Sequence, residues 1–330
     1  MSFIDQWRAG AQYFELHTSG STGKPTLHRL SRRQMQASAR ATAQAFGLQK
    51  NQTALCCLNT QYIAGIMMLV RAEEIGMTLV TIAPTANPLK SYDGHIDFAA
   101  FVPLQLQTML GAGLAGRLNE IKTIIVGGAP VSDVLLEQIK TLTVPVFATY
   151  GMTETVSHVA IRRLNGTEQS SYFRFLPDID FGTDARGCLW LCGAVTDDAV
   201  VQTNDVVEFV TPTEFKITGR ADNIINSGGI KIQLEKVEAA LGGQLEVFAP
   251  QRRFFAWSMP DEVLNQKLIL VLEGTYETAK LNEFVRQLQE THPALTQYEV
   301  PKRIFAVAKF VETPTGKINK ADTFAAVAPL

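Results

Sequence analysis

The first half of the chain alternates two hydrophobic periodicities, and that alternation limits the fold more than any other feature. Short β-rich runs at Tyr13–His17, Thr53–Leu58, Thr78–Ile82, Phe98–Val102, Thr123–Val126 and Val144–Thr149 are separated by segments of helical length. Strand and helix in alternation predict a parallel or mixed sheet covered by helices on its faces, an α/β domain. One helix is delimited by its ends: Ser31 followed three residues later by Gln34 forms a capping box, and Gly47 follows Phe46. Between them Met35, Ala39, Ala43 and Phe46 make one apolar face. A second helix runs from Ile63 to Ile75 and stops at Gly76, its methionines reading as core filler. A third begins near Ser132 and turns Val134, Leu135 and Ile139 inward.

Beyond Tyr150 the pattern changes to short strands joined by turns, at Val156–Arg162, Cys188–Cys192, Val206–Val210 and Phe215–Thr218. This predicts a β-rich subdomain attached to the α/β part. From Asp222 a mixed α+β pattern returns: a helix at Gln233–Leu241, a strand near Lys267–Leu272, a helix at Leu281–Glu290 and a strand around Ile304–Phe310. The expected organisation is a large domain over residues 1–221 and a small one over residues 222–330.

Charge and cysteine usage remove several function classes. Thirty basic against thirty-two acidic side chains leave a net charge of −2, too near neutrality for a polyanion-binding protein or one held to a membrane surface by charge. Four cysteines are too few for a disulfide scaffold, and neither Cys56-Cys57 nor Cys188 and Cys192 has a zinc-site spacing with histidine partners. Buried reduced thiols are the expectation. The N-terminus lacks a basic flank followed by an apolar run, and Ile63–Val70 is too short to span a bilayer, so a cytoplasmic protein with no membrane or nucleic-acid partner is expected. The five histidines are scattered, and no Ser-His-Asp context is present.

The sharpest local feature is Thr18-Ser19-Gly20-Ser21-Thr22-Gly23-Lys24-Pro25, directly after a predicted strand. Small residues and hydroxyls at such a turn can wrap phosphate oxygens with backbone N–H groups, and the lysine adds charge. A Walker loop is excluded, because Thr18 stands where that motif needs glycine and Pro25 where it needs Ser or Thr. Four further motifs follow: Tyr150-Gly151-Met152-Thr153-Glu154, Thr203-Asn204-Asp205, Thr218-Gly219-Arg220-Ala221-Asp222 and Pro314-Thr315-Gly316-Lys317.

In order and content these five motifs resemble those of the acyl-adenylate-forming ligases, the superfamily of acyl-CoA synthetases, luciferases and peptide-synthetase adenylation domains. Tyr150–His158 and Asp222–Ile232 are similar to the forms found in the 2-succinylbenzoate–CoA ligases of menaquinone biosynthesis. The resemblance implies ATP, Mg²⁺ and coenzyme A as co-substrates and cofactors, with 2-succinylbenzoate as the acid. It also implies roles. Thr18, Ser19, Gly20, Ser21, Thr22, Gly23 and Lys24 would hold the β and γ phosphates. Thr153 would lie close to the α-phosphate, and Glu154 would bind Mg²⁺. Tyr150 would offer its ring to adenine, with Gly151 and Met152 beside it and Gly127, Gly128 and Ala129 at the adenine edge. Asp205 would accept from the ribose hydroxyls, and Arg220 would reach ribose or phosphate. Lys317 would bridge the acyl carboxylate and the α-phosphate. Asp222 would be the hinge of a mobile C-terminal domain, whose Ser227, Gly228 and Gly229 would meet coenzyme A.

The acyl pocket is expected around Tyr62, Gly65, Ser157 and His158, and the acid's second carboxylate would meet Arg71, Arg162, Arg163 or His158; the sequence does not choose among these. Asn204 stands where the family usually has glycine, and Tyr62 where many relatives have a histidine or another aromatic. Family members carry a substantial subdomain before the phosphate loop, whereas 17 residues precede Thr18 here. A compact form is therefore implied, or one that completes its core by association, such as a homo-oligomer. A different acid, a carrier-loading adenylation enzyme or a non-catalytic nucleotide-binding relative are the alternatives.

Overall fold

The computed structural model describes residues 2–17, 27–250, 252–290, 295–313 and 318–327. The chain opens with helix α1 (Phe3–Arg8), capped by Ser2 and Asp5, and strands β1 (Tyr13–His17) and β2 (Leu27–Ser31), which pair antiparallel. There follow α2 (Arg32–Phe46), β3 (Thr53–Cys56), α3 (Ile63–Ile75), β4 (Thr78–Thr81), β5 (Phe98–Phe101), α4 (Pro103–Gly111), α5 (Ala115–Leu118), β6 (Thr123–Val126), α6 (Asp133–Lys140) and β7 (Val146–Gly151). Strands β3 to β7 are parallel, in the order β4-β3-β5-β6-β7.

Side chains along these strands alternate between two apolar layers, as a parallel sheet covered on both faces requires. Leu55, Ala99, Phe101, Ile124 and Val126 face Leu106, Met109, Leu135 and Ile139 of α4 and α6. Ala54, Cys56, Phe98, Ala100 and Ile125 face Met68 and Ala72 of α3. The capping box at Ser31 and the left-handed Gly47 delimit α2 as expected. Val134 departs from expectation: it is 51% exposed, because α6 is short and turns only Leu135 and Ile139 to the sheet.

The β-rich stretch continues the same sheet. Strands β8 (His158–Arg163), β9 (Phe173–Phe175), β10 (Ile179–Thr183), β11 (Cys188–Gly193), β12 (Val201–Thr211) and β13 (Glu214–Arg220) extend it antiparallel from β7, to eleven strands in all. Strand β8 begins two residues later than the pattern predicts, because Val156 lies in a tight turn. The residues ahead of the phosphate loop are packed into the molecule: Trp7, Phe14 and Leu16 form a core with Met35 and Ala39 of α2 and Ile66, Met67 and Val70 of α3. The Arg32 guanidinium lies 4.0 Å above the Trp7 ring and completes this corner.

From Ile224 the chain builds a second sheet of five strands: β14 (Ile224–Ser227), β15 (Ile230–Gln233), β16 (Phe254–Asp261), β17 (Asn265–Glu273) and β18 (Arg303–Val307). Helices α7 (Leu234–Phe248) and α8 (Thr278–Glu290) bury Val237, Leu241, Leu245, Phe284 and Leu288 against one face. The other face holds Phe255, Ile269, Val271 and Phe305, with Phe324 of α9 (Lys320–Ala325) packed on it. Helix α7 runs seven residues beyond its predicted end, passing through Gly242 and Gly243, because Leu245 beyond them still faces the core. Among the described residues no helix is long and apolar enough to cross a membrane.

Candidate active site

A cavity of about 690 Å³ opens at the carboxyl ends of the parallel strands, where open α/β sheets place their ligands. Phe101 and Val102 follow from β5, Gly127 and Gly128 from β6, and Gly151, Met152, Thr153 and Glu154 from β7. Thr203, Asn204 and Asp205 of β12 and Arg220 of β13 form another wall, and Thr313 approaches from the C-terminal lobe. Three of the five motifs thus have residues at one opening: Gly151 to Glu154, Thr203 to Asp205, and Arg220. Thr18, Ser19, Gly20, Ser21, Thr22, Gly23, Lys24 and Lys317 lie outside the described residues, although His28, just past the loop, and Thr313, just before the lysine motif, both line the cavity.

The turn after β7 has an uncommon backbone. Thr153–Thr155 form one 3-10 turn, and Val156 follows with φ 65° and ψ −51°. The Ser157 N–H donates to the Thr155 carbonyl at 2.7 Å, closing a γ-turn of the rare positive-φ kind around a β-branched residue. Strain of this kind persists only where the surroundings over-determine it, and Val156 is wholly buried. The turn leaves Glu154 exposed at the cavity and swings Ser157 and His158 to its other side.

Asp205 is the centre of the polar wall. It is 8% exposed and accepts from the Tyr150 hydroxyl at 2.6 Å and from Arg220 Nη1 at 2.8 Å. Burial, followed by the Asp205 charge, pushes the Tyr150 phenol upward, so its hydroxyl stays protonated and donates. The Tyr150 ring packs in the core against Phe215 and Phe173 and, like Ala129, is not among the residues lining the cavity. The bonds Arg220 donates to Asp222, then the charges of Asp205 and Asp222, outweigh its partial burial and hold it firmly charged.

Along another wall of the cavity lies a buried polar group. Arg71 of α3 is 2% exposed and donates from Nε to Thr42 Oγ1 at 3.3 Å and from Nη2 to Ser157 Oγ at 2.6 Å. His158 Nδ1 lies 3.3 Å from Ser157 Oγ and Nε2 3.3 Å from Thr42 Oγ1. Burial pushes Arg71 down to about 10, which leaves it charged at neutral pH. Burial and then the Arg71 charge hold His158 neutral, far below its ordinary range. No carboxylate pairs with Arg71 among the described residues, yet Arg71, Ser157 and His158 all line the cavity. An unpaired buried cation costs several kcal/mol, and an anion entering the cavity would offset that cost.

The structure therefore separates the four basic candidates. Arg162 stacks over Phe173 and Arg163 over Phe147, neither of them at the cavity. Tyr62 lines the cavity. Gly65 does not; it is buried in α3, where the Asn59 carbonyl stands against the place a Cβ would occupy, so its glycine serves packing. Ser227, Gly228 and Gly229 form the hairpin turn between β14 and β15, away from the cavity lining, with Gly228 at φ 58° and Gly229 at φ 84° as such a turn requires. Asp222 is bonded to Arg220 at the junction with the C-terminal lobe. Thr42 was not foreseen. Its signal was a hydroxyl on the buried face of α2, among Met35, Ser38 and Ala39.

A family profile described as AMP-binding enzyme matches residues 8–180. A solved acyl-CoA synthetase (AMP-forming)/AMP-acid ligase II-like protein from Dyadobacter fermentans is 45% identical, with a TM-score of 0.66, covering 98% of this chain and 92% of that one. The 2-succinylbenzoate–CoA ligase of Listeria monocytogenes is 25% identical over 97% of this chain and 71% of its own length. The O-succinylbenzoate coenzyme A synthetase of Bacillus subtilis, solved in complex with ATP and magnesium ion, is 21% identical with a TM-score of 0.73, covering 94% of this chain and 69% of that one, and shares the fold.

Proposed function

The chain belongs to the AMP-binding enzyme family, and on that premise we propose that it is an ATP-dependent acid–CoA ligase acting on 2-succinylbenzoate. The substrate carboxylate attacks the α-phosphorus of ATP and pyrophosphate leaves with the bonding electrons. The coenzyme A thiolate then attacks the acyl carbon, and AMP departs as the thioester forms. The main demand on the protein is control of charge at phosphorus.

The observation that carries the substrate reading is Arg71: a buried guanidinium at the cavity wall with no carboxylate partner among the described residues. A simple fatty or aryl monoacid presents its one carboxylate to the phosphate and leaves nothing for this cation. An acid with a second carboxylate answers both needs, and 2-succinylbenzoate is such an acid.

Asp205 accepts from the ribose hydroxyls beside Arg220, and Gly127 and Gly128 let the adenine edge approach the backbone, with Ala129 next in line. Tyr150 takes part through its bond to Asp205 and the neighbouring Gly151 and Met152. Thr153 faces the α-phosphate. Glu154, exposed at the cavity without an ion-pair partner among the described residues, fits a hard divalent cation. No group of three His, Cys, Asp or Glu among the described residues could hold a metal by itself, which suits Mg²⁺ shared between one carboxylate and ATP phosphates. When bound, the cation neutralises phosphate charge. Thr18 to Lys24 hold the outer phosphates, and Lys317 stabilises the charge that builds as carboxylate and α-phosphate react. Residues 222–330 act as a mobile lobe hinged at Asp222, which brings Ser227, Gly228 and Gly229 to coenzyme A in the second half-reaction.

The test is pyrophosphate release from ATP and Mg²⁺ with 2-succinylbenzoate, benzoate and a fatty acid offered separately, with and without coenzyme A. Release confined to 2-succinylbenzoate, with a thioester appearing only when coenzyme A is added, is the expected result. Release with either monoacid at equal efficiency would overturn the substrate reading and leave the ligase chemistry.

A further inference from the structure

Hydrogen-bond accounting around Arg71 leads to a residue that no motif includes. Thr42 Oγ1 lies 2.8 Å from the Ser38 carbonyl, which can only accept, so the one hydroxyl proton of Thr42 is committed there. The same oxygen must then accept from both of its other neighbours, Arg71 Nε–H and His158 Nε2–H, each at 3.3 Å. His158 therefore carries its proton on Nε2 and offers a lone pair at Nδ1. Ser157 donates to that lone pair at 3.3 Å, which turns its own lone pairs to Arg71 Nη2 at 2.6 Å. Arg71 Nη1 gives one further bond to Met68 Sδ at 3.7 Å. Of the five N–H groups of a guanidinium, three are spent, and one on each terminal nitrogen is left. That remaining pair matches the two oxygens of a carboxylate.

We infer that Thr42 is a positioning residue for the acid substrate: anchored on the Ser38 carbonyl, its hydroxyl fixes the His158 tautomer and the plane of Arg71 so that both free N–H groups face the second carboxylate. The inference rests on the reading of Arg71 given above. The network joins three elements, α2, α3 and the start of β8, at the cavity wall. Thr42 does not touch the substrate; it acts through Arg71 and His158.

The experiment compares Thr42→Val, Thr42→Ser and Arg71→Met with the unsubstituted enzyme, using 2-succinylbenzoate and its two monoacid analogues, each lacking one carboxylate. Valine keeps the shape and removes the hydroxyl. Thr42→Val should raise KM for the diacid about tenfold, the effect of one lost bond to a charged group, while kcat and the KM of whichever monoacid turns over stay within about twofold. Thr42→Ser should restore the diacid KM. In ¹⁵N spectra of the histidines, the resonance that disappears in His158→Gln should show a single Nε2–H tautomer in the unsubstituted enzyme and a mixture in Thr42→Val. If Thr42→Val does not fold, Thr42→Ala is measured in the same way.

An unchanged diacid KM and an unchanged tautomer in the Thr42 variant, alongside a raised diacid KM in Arg71→Met, would overturn the role of Thr42 and leave that of Arg71. An unchanged diacid KM in Arg71→Met would overturn the reading beneath it.

Discussion

Arg220 and Asp222 meet as a bidentate pair, Nε to Oδ1 at 2.9 Å and Nη2 to Oδ2 at 2.7 Å. The third nitrogen of the same guanidinium holds Asp205, so the proposed ribose acceptor and the proposed hinge share one cation. Arg220→Gln should lower kcat/KM for ATP by about tenfold or more in pyrophosphate release, as expected for bonds to charged groups. A change under about twofold would separate Asp205 from nucleotide binding.

The two half-reactions should divide between Lys317 and Asp222. Lys317→Ala is expected to reduce adenylation by about a hundredfold or more while sparing thioester formation from supplied acyl-adenylate, since in the proposed role its charge serves the first transition state. Asp222→Pro should do the reverse, leaving pyrophosphate release and stopping coenzyme A transfer, because the hinge needs backbone freedom. Single-turnover assays of each step measure both. Equal loss in both steps for either variant contradicts its assignment.

His158 gives stability a pH dependence whose sign is fixed. In the unfolded chain an imidazole takes up a proton below about pH 6.5. In the fold, burial and the Arg71 charge keep His158 neutral far below that value. Between the two values the unfolded chain binds the extra proton, so stability falls as pH drops, by up to about 1.4 kcal/mol per unit. Urea midpoints from pH 7 to 5 should fall less steeply in His158→Gln than in the unsubstituted protein. Parallel slopes would show that another group carries the effect.

Asp97 acts in the same sense at lower pH, since the fold also disfavours its protonated form. Its side chain, 6% exposed, accepts from Lys122 at 2.5 Å, the Thr53 N–H at 2.7 Å and His95 at 3.1 Å, tying the starts of β3 and β5 together. Burial raises its pKa, but these bonds outweigh it and hold the carboxyl below its ordinary range. The stabilisation is present above about pH 4 and is lost as pH falls through the lowered value. Asp97→Asn should cost about 1–3 kcal/mol at pH 7, and urea unfolding should show the difference vanishing in acid.

The α/β half was legible because its strands are buried on both faces and its helices carry their own stop signals, such as Ser31 and Gly47. The C-terminal lobe was less so. Strand β16 mixes Phe254, Trp257, Ser258 and Pro260 without clean alternation, and its pairing with β17 overrides that composition. Within the site, the motifs singled out Glu154, Asp205 and Arg220, because their chemistry is local to short strings. The acid-binding wall was not local. Thr42, Arg71 and Ser157 come from separate elements and converge only after folding, so four basic residues stood level in the sequence until place in the cavity set apart Arg71 and His158, and charge set apart Arg71.

The uncompensated charge of Arg71 also bears on the protein before any reaction begins. The cation is held by α3 and the Val156 turn with hydroxyls and a thioether as its partners, and no carboxylate pairs with it among the described residues. On the proposed reading the diacid would be its counter-ion as well as its substrate, and binding would complete the interior. Heat resistance becomes a report of occupancy: the diacid raises the melting temperature without ATP, through ordinary ligand linkage, while an acid that leaves the guanidinium bare gives little protection.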